Sequence, residues 1–325
     1  MRPWKPLGCG SRSARAGLDR RALLRSIPPM RQGGLTAAAL VAIATALIVP
    51  AAAPAAYPGS NGQIFFNDGG AIFSIRPDGS DRQKIVDPGR EPAVSADGKT
   101  IVFTREGDIY TASRSGGNVN QVTTAQRDER DPSFSPNGNK ILFVGRGGDF
   151  FTVRAEGGDR TRLPKSRFGS DPEYSPNGNT IVFSRDTPFP SPTSVEHLFL
   201  IDADGGNLRQ LTSGDLARQS PTWSPDGNRI AFSGLTGQAA QILAANSDGT
   251  GPLQPVTGEN ELGDREPAFA PSGDKLVFRG ERNDRWGLFV VGTTGIPVIE
   301  EVIANPFPGD AGRPAGKDPY WAPSP

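Results

Sequence analysis

The sequence predicts an all-β fold closed into a ring of repeated sheets, and three observations predict it. A segment anchored on Pro, an aromatic, Gly and Phe recurs five times. Beyond Val49 no apolar stripe of helical spacing is long enough to matter. The final residues, Asp318 to Pro325, repeat the opening of that segment and then stop. Together these specify a six-bladed β-propeller with four antiparallel strands per blade, closed by the C-terminal strand joining the N-terminal blade.

The copies read EPAVSADGKTIVF from Glu91, DPSFSPNGNKILF from Asp131, DPEYSPNGNTIVF from Asp171, SPTWSPDGNRIAF from Ser220 and EPAFAPSGDKLVF from Glu266. Their anchors Val94, Phe134, Tyr174, Trp223 and Phe269 are spaced 40, 40, 49 and 46 residues apart. Each copy starts with a short apolar strand and turns at Asp-Gly, Asn-Gly or Ser-Gly, as at Asn137-Gly138. Such pairs tolerate the positive φ of tight turns. A second strand follows, Ile101–Phe103 in the first copy and Ile181–Phe183 in the third. A third strand, as at Leu198–Ile201, a second Gly turn and a more polar fourth strand complete the unit.

The N-terminal unit lacks its first strand. Asn61-Gly62 turns directly into Ile64–Phe66, then Ile72–Ile75, Asp78-Gly79 and Arg82–Val86. The missing strand is supplied by Asp318 to Pro323, with Trp321 in the anchor position. Such closure pairs an otherwise orphaned edge and ties the ends together. The expected organisation is blade 1 at 60–90 plus 318–325, blade 2 at 91–130 and blade 3 at 131–170. Blade 4 follows at 171–219, blade 5 at 220–265, blade 6 at 266–305, and a linker at 306–317.

Residues 30–56 have the form of a signal peptide: a basic start, the apolar run Leu35 to Val49, and an Ala53-Pro54-Ala55 cleavage site. Residues 1–29 are read as an over-extended start or a long basic region, and 57–325 as the mature propeller. The alternative is an uncleaved anchor, although the run is short for a span. The expected location is secreted, periplasmic or otherwise in the cell envelope, with no transmembrane span after cleavage. From Tyr57 onward 27 basic and 34 acidic residues leave a net charge of −7, a poor match for nucleic acid. Single Cys and His residues, Cys9 and His197, remove most metal, thiol and Ser–His chemistry.

The pattern x-P-x-aromatic-S-P-D/N-G-x-x-I-x-F, ending in a segment such as Asp204 to Thr212 (DGGNLRQLT), resembles the WD40-like repeat of the TolB-type propeller. The resemblance spans nearly all of 57–325 and implies a six-bladed propeller of the envelope or extracellular space. TolB itself carries an α/β domain ahead of its propeller; none is expected here, so a Tol–Pal role is not carried over. Ala96 and Ala270 depart from the repeat's Pro and Ser.

The residue before each anchoring Pro is Glu91, Asp131, Asp171, Ser220, Glu266 or Asp318; the residue before that is Arg90, Arg130, Ser170, Gln219, Arg265 or Lys317. In a closed ring these pairs circle one mouth of the channel. Three readings stay open: a structural network, a hard-cation site of Ca²⁺ type, or an arginine grip on a carboxylate. No cofactor is otherwise expected. His197 is read as a strand-end surface residue, not a base. Two long loops bearing Phe189 and Trp286 are candidate partner surfaces, with tolerated insertion as the plainer reading. The expected function is a monomeric, non-enzymatic scaffold for an envelope or extracellular protein or a small ligand. The alternative is a hydrolase or lyase acting on a glycan at the channel mouth, for which Arg90, Arg130 and Arg265 and the plentiful acids are the raw material.

Overall fold

A computed structural model describes residues 58–124, 128–187, 195–236, 239–258, 263–282, 285–294, 298–304 and 319–325. Among these residues the strands form six four-stranded antiparallel sheets. The innermost strands, in blade order, are Tyr320–Pro323, Arg90–Val94, Arg130–Phe134, Gly169–Tyr174, Arg218–Trp223 and Arg265–Phe269. Second strands are Asn61–Asp68, Thr100–Arg105, Lys140–Val144, Thr180–Thr187, Arg229–Thr236 and Lys275–Arg282. Third strands are Ala71–Ile75, Asp108–Ser113, Phe150–Arg154, Val195–Asp202, Ala239–Asn246 and Arg285–Gly292. The outermost are Gln83–Val86, Asn120–Gln121, Thr161–Arg162, Arg209–Gln210, Gln254–Pro255 and Ile299–Ala304. No helix of the described residues is long and apolar enough to cross a membrane.

In blades 2 to 5 the hairpin after the innermost strand is built by one device, which blade 6, with Ala270 in the Ser position, lacks. In blade 3 the Ser135 hydroxyl donates to Asn137 Oδ1 (2.9 Å), which also accepts the Asn139 N–H (3.1 Å). Asp97 and Asp226 do the same for Ser95 and Ser224. An oxygen at that position is what the turn needs, so Asn and Asp interchange.

The apolar residues do not collect at one centre. They form six clusters, one in each seam between neighbouring blades. Alternate residues of a strand face opposite seams, as the pleat dictates. Phe183, Phe199 and Ile201 thus pack against blade 3, while Val182, Leu198 and Leu200 pack against blade 5. Both faces of each middle strand are therefore buried, which explains their continuous apolar runs.

The closing strand pairs as its sequence predicts: Ile64 opposes Trp321 and Phe65 opposes Tyr320. Trp321 is buried with Ile64, Phe66, Val277 and Leu288, so the seam between blades 6 and 1 is packed like the others. Its indole Nε1–H donates to Gly62 O at 3.2 Å. Gly62 is required here, because a Cβ would lie 2.7 Å from Pro323 O. Arg114 of blade 2 donates to Pro323 O at 2.8 Å, and the Tyr320 hydroxyl donates to Val94 O at 3.2 Å. The last strand thus also ties blade 1 to blade 2.

Candidate functional site

Successive strands run in opposite directions, so each innermost strand begins at the end where the second-to-third connections lie. The links between blades run across that same end. The Gly89 N–H donates to Gly70 O (2.9 Å), Glu129 N–H to Gly107 O (3.0 Å), and Asp264 N–H to Ala240 O (3.1 Å). Arg90, Arg130 and Arg265 open three of the innermost strands at this mouth.

The residues before the anchoring prolines share one backbone state. Glu91, Asp131, Asp171, Ser220 and Glu266 have φ between 50° and 55°. That left-handed region is uncommon for residues other than glycine. In each case the pairing with the second strand slips here. The cause is the proline that follows: it has no N–H to give the ladder, and the strand bulges around it. The bulge turns the preceding side chain toward the next blade. The Asp131 N–H donates to Glu91 Oε2 at 2.9 Å, and the Asp171 N–H donates to Asp131 Oδ2 at 3.3 Å. In blade 6 the acceptor comes from another position: the Glu266 N–H donates to Ser233 Oγ at 2.9 Å. Glu91 and Asp131 thus act between blades, each accepting from the equivalent amide one blade on.

Acids and bases are sorted by exposure. Asp131, Asp171 and Glu266 are buried and Glu91 is half-buried. Burial, with the Asp131 carboxylate nearby, pushes the Glu91 carboxyl up to about 8. The Thr104 hydroxyl, 3.1 Å from Glu91 Oε2, and Arg130 pull the other way and do not offset the burial. Arg90 and Arg265 are exposed, and the Arg130 side chain is 42% exposed. Arg130 Nε lies 3.4 Å from Asp131 Oδ2, while Arg90 lies alongside Gly70 of blade 1. Lys317 and Asp318, the blade 1 members of the collar, lie outside the described residues, as does Phe189.

Blades 4 and 5 have neutral residues, Ser170 and Gln219, where blades 2, 3 and 6 have arginines, and the neutral pair gathers on an acid. Ser170 Oγ and Gln219 Nε2 both donate to Glu196, at 2.9 and 2.5 Å. Burial raises the Glu196 carboxyl above the usual carboxylate range. His197 corrects the sequence reading: it is 4% exposed, and burial lowers its basicity with the Arg218 charge adding to the effect. It sits well inside an extended third strand, Val195–Asp202, rather than at a surface end. Trp286 is half-buried, with the guanidinium of Arg279 5.2 Å and that of Arg265 5.8 Å from its ring centroid. Arg279 in turn reaches Glu266 Oε2 at 3.9 Å.

Below the mouth runs the channel, whose lining includes the acids Glu173 and Glu266. Pro92, Pro132, Pro267 and Pro319 line it together with Ala93 and Ala268. Several polar wall groups are bonded within the wall: Ser133 Oγ donates to Pro172 O (3.1 Å), and Glu173 Oε1 accepts the Trp223 N–H (3.0 Å). Among the described residues no group of three or more His, Cys, Asp or Glu side chains is placed to hold a metal ion.

Residues three places before the anchoring prolines were missed in the sequence. Glu129 and Asp264 have fully buried side chains paired with Arg160 and Arg282. Those arginines also lie over aromatic rings, Arg160 4.1 Å from the Phe151 centroid and Arg282 4.6 Å from that of Phe289. The signal available was the shared order acid, Arg, acid, Pro at 129–132 and 264–267.

No family model matches the chain. Among curated proteins, a stretch of 85 residues is 39% identical to an uncharacterized protein of Agrobacterium fabrum, covering 26% of this chain and 28% of that protein. The Tol-Pal system protein TolB of Coxiella burnetii is 49% identical over 45 residues, 14% of this chain and 10% of that one. TolB of Gluconobacter oxydans is 31% identical over 102 residues, 31% of this chain and 22% of that one. The matched stretches therefore span less than a third of each relative's length. Among solved structures, TolB of Acinetobacter baumannii superposes with a TM-score of 0.63 at 22% identity, over 81% of this chain and 66% of that one. A protein assigned as TolB from Agrobacterium tumefaciens gives 0.62 at 20% identity, over 81% and 99%. At these identities the superpositions speak to fold alone, and the sequence matches are confined to short stretches of the chain. Together with the sheet order they show a six-bladed β-propeller fold shared with the propellers of TolB proteins, and repeat segments similar to theirs.

Proposed function

We propose that this chain is a secreted or cell-envelope binding propeller, without catalytic activity, that presents the arginine-bearing mouth of its channel to a protein or small ligand. The observation that carries the reading is the sorting of charge at that mouth. The collar carboxylates of Glu91 and Asp131 accept from neighbouring backbone amides, while Arg90, Arg130 and Arg265 reach solvent. A glycan-cleaving enzyme would instead need two carboxyl groups facing a shared cleft, one protonated and one free to act as base or nucleophile. Glu91 and Asp131 bond across the seams, and the two carboxyls on the channel lining, Glu173 and Glu266, are engaged by the Trp223 N–H and Arg279, which favours binding over turnover. The location follows from the apolar run Leu35 to Val49 and the Ala53-Pro54-Ala55 site.

The test is capture from an envelope extract by the full-length chain and by a triple variant, Arg90→Ala, Arg130→Ala and Arg265→Ala. Capture lost with an unchanged melting temperature supports the reading. A variant that captures the same material as the unaltered chain overturns it, and turnover of any member of a glycan panel would move the chain to the enzymatic alternative.

A further inference from the structure

We propose that the groove between blades 5 and 6, on the hairpin side of the ring, takes the segment just ahead of Pro58, with the Tyr57 ring against Arg229 and the α-ammonium created by signal-peptide cleavage beside Asp226. The binding role of the mouth has no part in this. Only the free amine rests on the secreted reading.

The hairpins after the innermost strands lie at the end of the channel opposite the mouth, and the start of the described chain runs across them. The Ser272 N–H donates to Asn61 Oδ1 at 3.0 Å, and the Gly59 N–H donates to Pro271 O at 3.2 Å. Both blade 6 partners belong to its first hairpin. Pro58 reaches the next seam, where it lines a depression with Pro225 and Asp226 of blade 5 and Gly273 of blade 6. Followed from Asn61 back to Pro58, the chain thus passes from blade 1 over blade 6 to blade 5.

The depression does not end at Pro58. Arg229 lines both it and a second one farther out in the same seam, whose walls include Ala245 and Pro255 of blade 5 and Thr294 of blade 6. The Arg229 guanidinium crosses the seam: it donates to Thr293 O at 3.4 Å and lies 5.9 Å from the Phe269 centroid. A proline restricts the residue before it to extended backbone, and an extended residue advances about 3.3–3.6 Å. Continuing in the direction set by Gly59 and Pro58 therefore brings Tyr57 to Arg229. There its ring covers a cation while its hydroxyl stays in water. Charge fits as well. Burial opposes ionisation of Asp226, but bonds from Ser224 and Asn228 outweigh it and hold the carboxyl below its usual range. An α-amine keeps its proton up to about pH 8. Cleavage after Ala55 or Ala56 puts that cation within two residues of Pro58.

The test places cysteine pairs in the full-length chain with Cys9→Ser, which removes its one native thiol. Tyr57→Cys with Thr294→Cys should form an intramolecular disulfide about tenfold or more faster than Tyr57→Cys with Asn139→Cys, an exposed position on the first hairpin of blade 3. Tyr57→Ala should lower the folding equilibrium constant, read by urea unfolding, about threefold, and leave it unchanged beside Arg229→Ala. Asp226→Asn removes the charge and keeps the turn, because Asn137 and Asn177 accept the same hydrogen bonds in their blades. In the exported chain that variant's α-amine should react with an amine-selective reagent about threefold faster, the effect of half a pKa unit. Equal oxidation of the two cysteine pairs overturns the proposal, and a disulfide between chains marks a second copy in the groove and overturns it too. Additive losses for Tyr57 and Arg229 overturn the ring contact, and an amine rate indifferent to Asp226→Asn overturns the ammonium contact. The mass of the exported chain reads cleavage separately: a retained signal peptide refutes the free amine, and the cysteine pairs still decide the groove.

Discussion

Trp321→Ala is the sharpest probe of ring closure. Trp321 is 3% exposed, packed among Ile64, Phe66, Val277, Leu288 and Val290, and its indole donates to Gly62 O. Removing a buried Trp side chain costs about 3–5 kcal/mol in transfer and cavity. Leaving the Gly62 carbonyl without its donor adds about 1 kcal/mol. The expected loss is therefore about 4–6 kcal/mol, a large part of the about 5–15 kcal/mol that holds a domain folded. Trp223 is the internal control: it holds the same place in blade 5, is 4% exposed, and donates to Glu173 O at 3.3 Å. If the closing seam is built like an interior seam, the two alanine variants lose stability to within about 1 kcal/mol of each other. Urea unfolding followed by far-ultraviolet circular dichroism reads both. A Trp321→Ala loss below about 1 kcal/mol beside a full loss for Trp223→Ala would refute the closure as a packed seam.

Glu91 makes stability depend on pH. Its folded-state carboxyl is raised from the ordinary 4.5 to about 8 by burial and by Asp131, so the folded state holds a proton that the unfolded chain releases. That stabilisation is full below the unfolded value and is lost as pH rises through about 8. Urea midpoints should fall between about pH 4.5 and 8, and Glu91→Gln should flatten the fall; a wild-type curve that is level or rising across that window contradicts the assignment. The buried pair Glu129–Arg160 should be costly to break from one side: Glu129→Ala loses about 3–5 kcal/mol, whereas Asp159→Ala, which frees exposed Arg154, loses less than about 1 kcal/mol. Comparable losses in the two denaturation curves would remove the distinction. Asn137→Asp should change stability by no more than about 0.5 kcal/mol, because Asp97 and Asp226 already accept the same two hydrogen bonds, while Ser135→Ala should cost about 1–2 kcal/mol. A large loss for Asn137→Asp, measured by thermal melting, would show that the amide nitrogen matters.

The blades were legible because every blade spends the same residue types on the same tasks. An aromatic or Val anchors the innermost strand, Gly closes the turn, and Phe ends the buried run of the second strand. Periodicity of that kind survives without any structure. The position of Trp321 opposite Ile64 was legible for the same reason. The collar was legible only as a list of residues. Nothing in the letters says that the residue before Pro takes φ near 50°, and only that twist sends the Glu91 and Asp131 carboxylates to the next blade's amide. His197 misled because its outer neighbours in sequence, residues 188–194, read as a loop, while Val195–Asp202 in fact runs as one strand with His197 inside it. The arginines over the aromatic pairs escaped for a different reason. Arg82 and Arg160 come from the outer side, nine residues after Phe73 and Phe151, whereas Arg105 and Arg185 come two residues after Phe103 and Phe183 and Arg282 four after Phe278, so no single spacing runs through all five.

The bond between Trp321 and Gly62 spans 259 residues. A growing polypeptide that has reached residue 304 can assemble five whole sheets, yet its first sheet still shows a bare inner margin at Asn61–Asp68. That margin, with Ile64, Phe65 and Phe66 awaiting cover, is the stretch most apt to stick to another molecule before synthesis ends. Shutting of the ring thus waits on Tyr320–Pro323, and anything that delays that strand prolongs the interval in which the margin lies open.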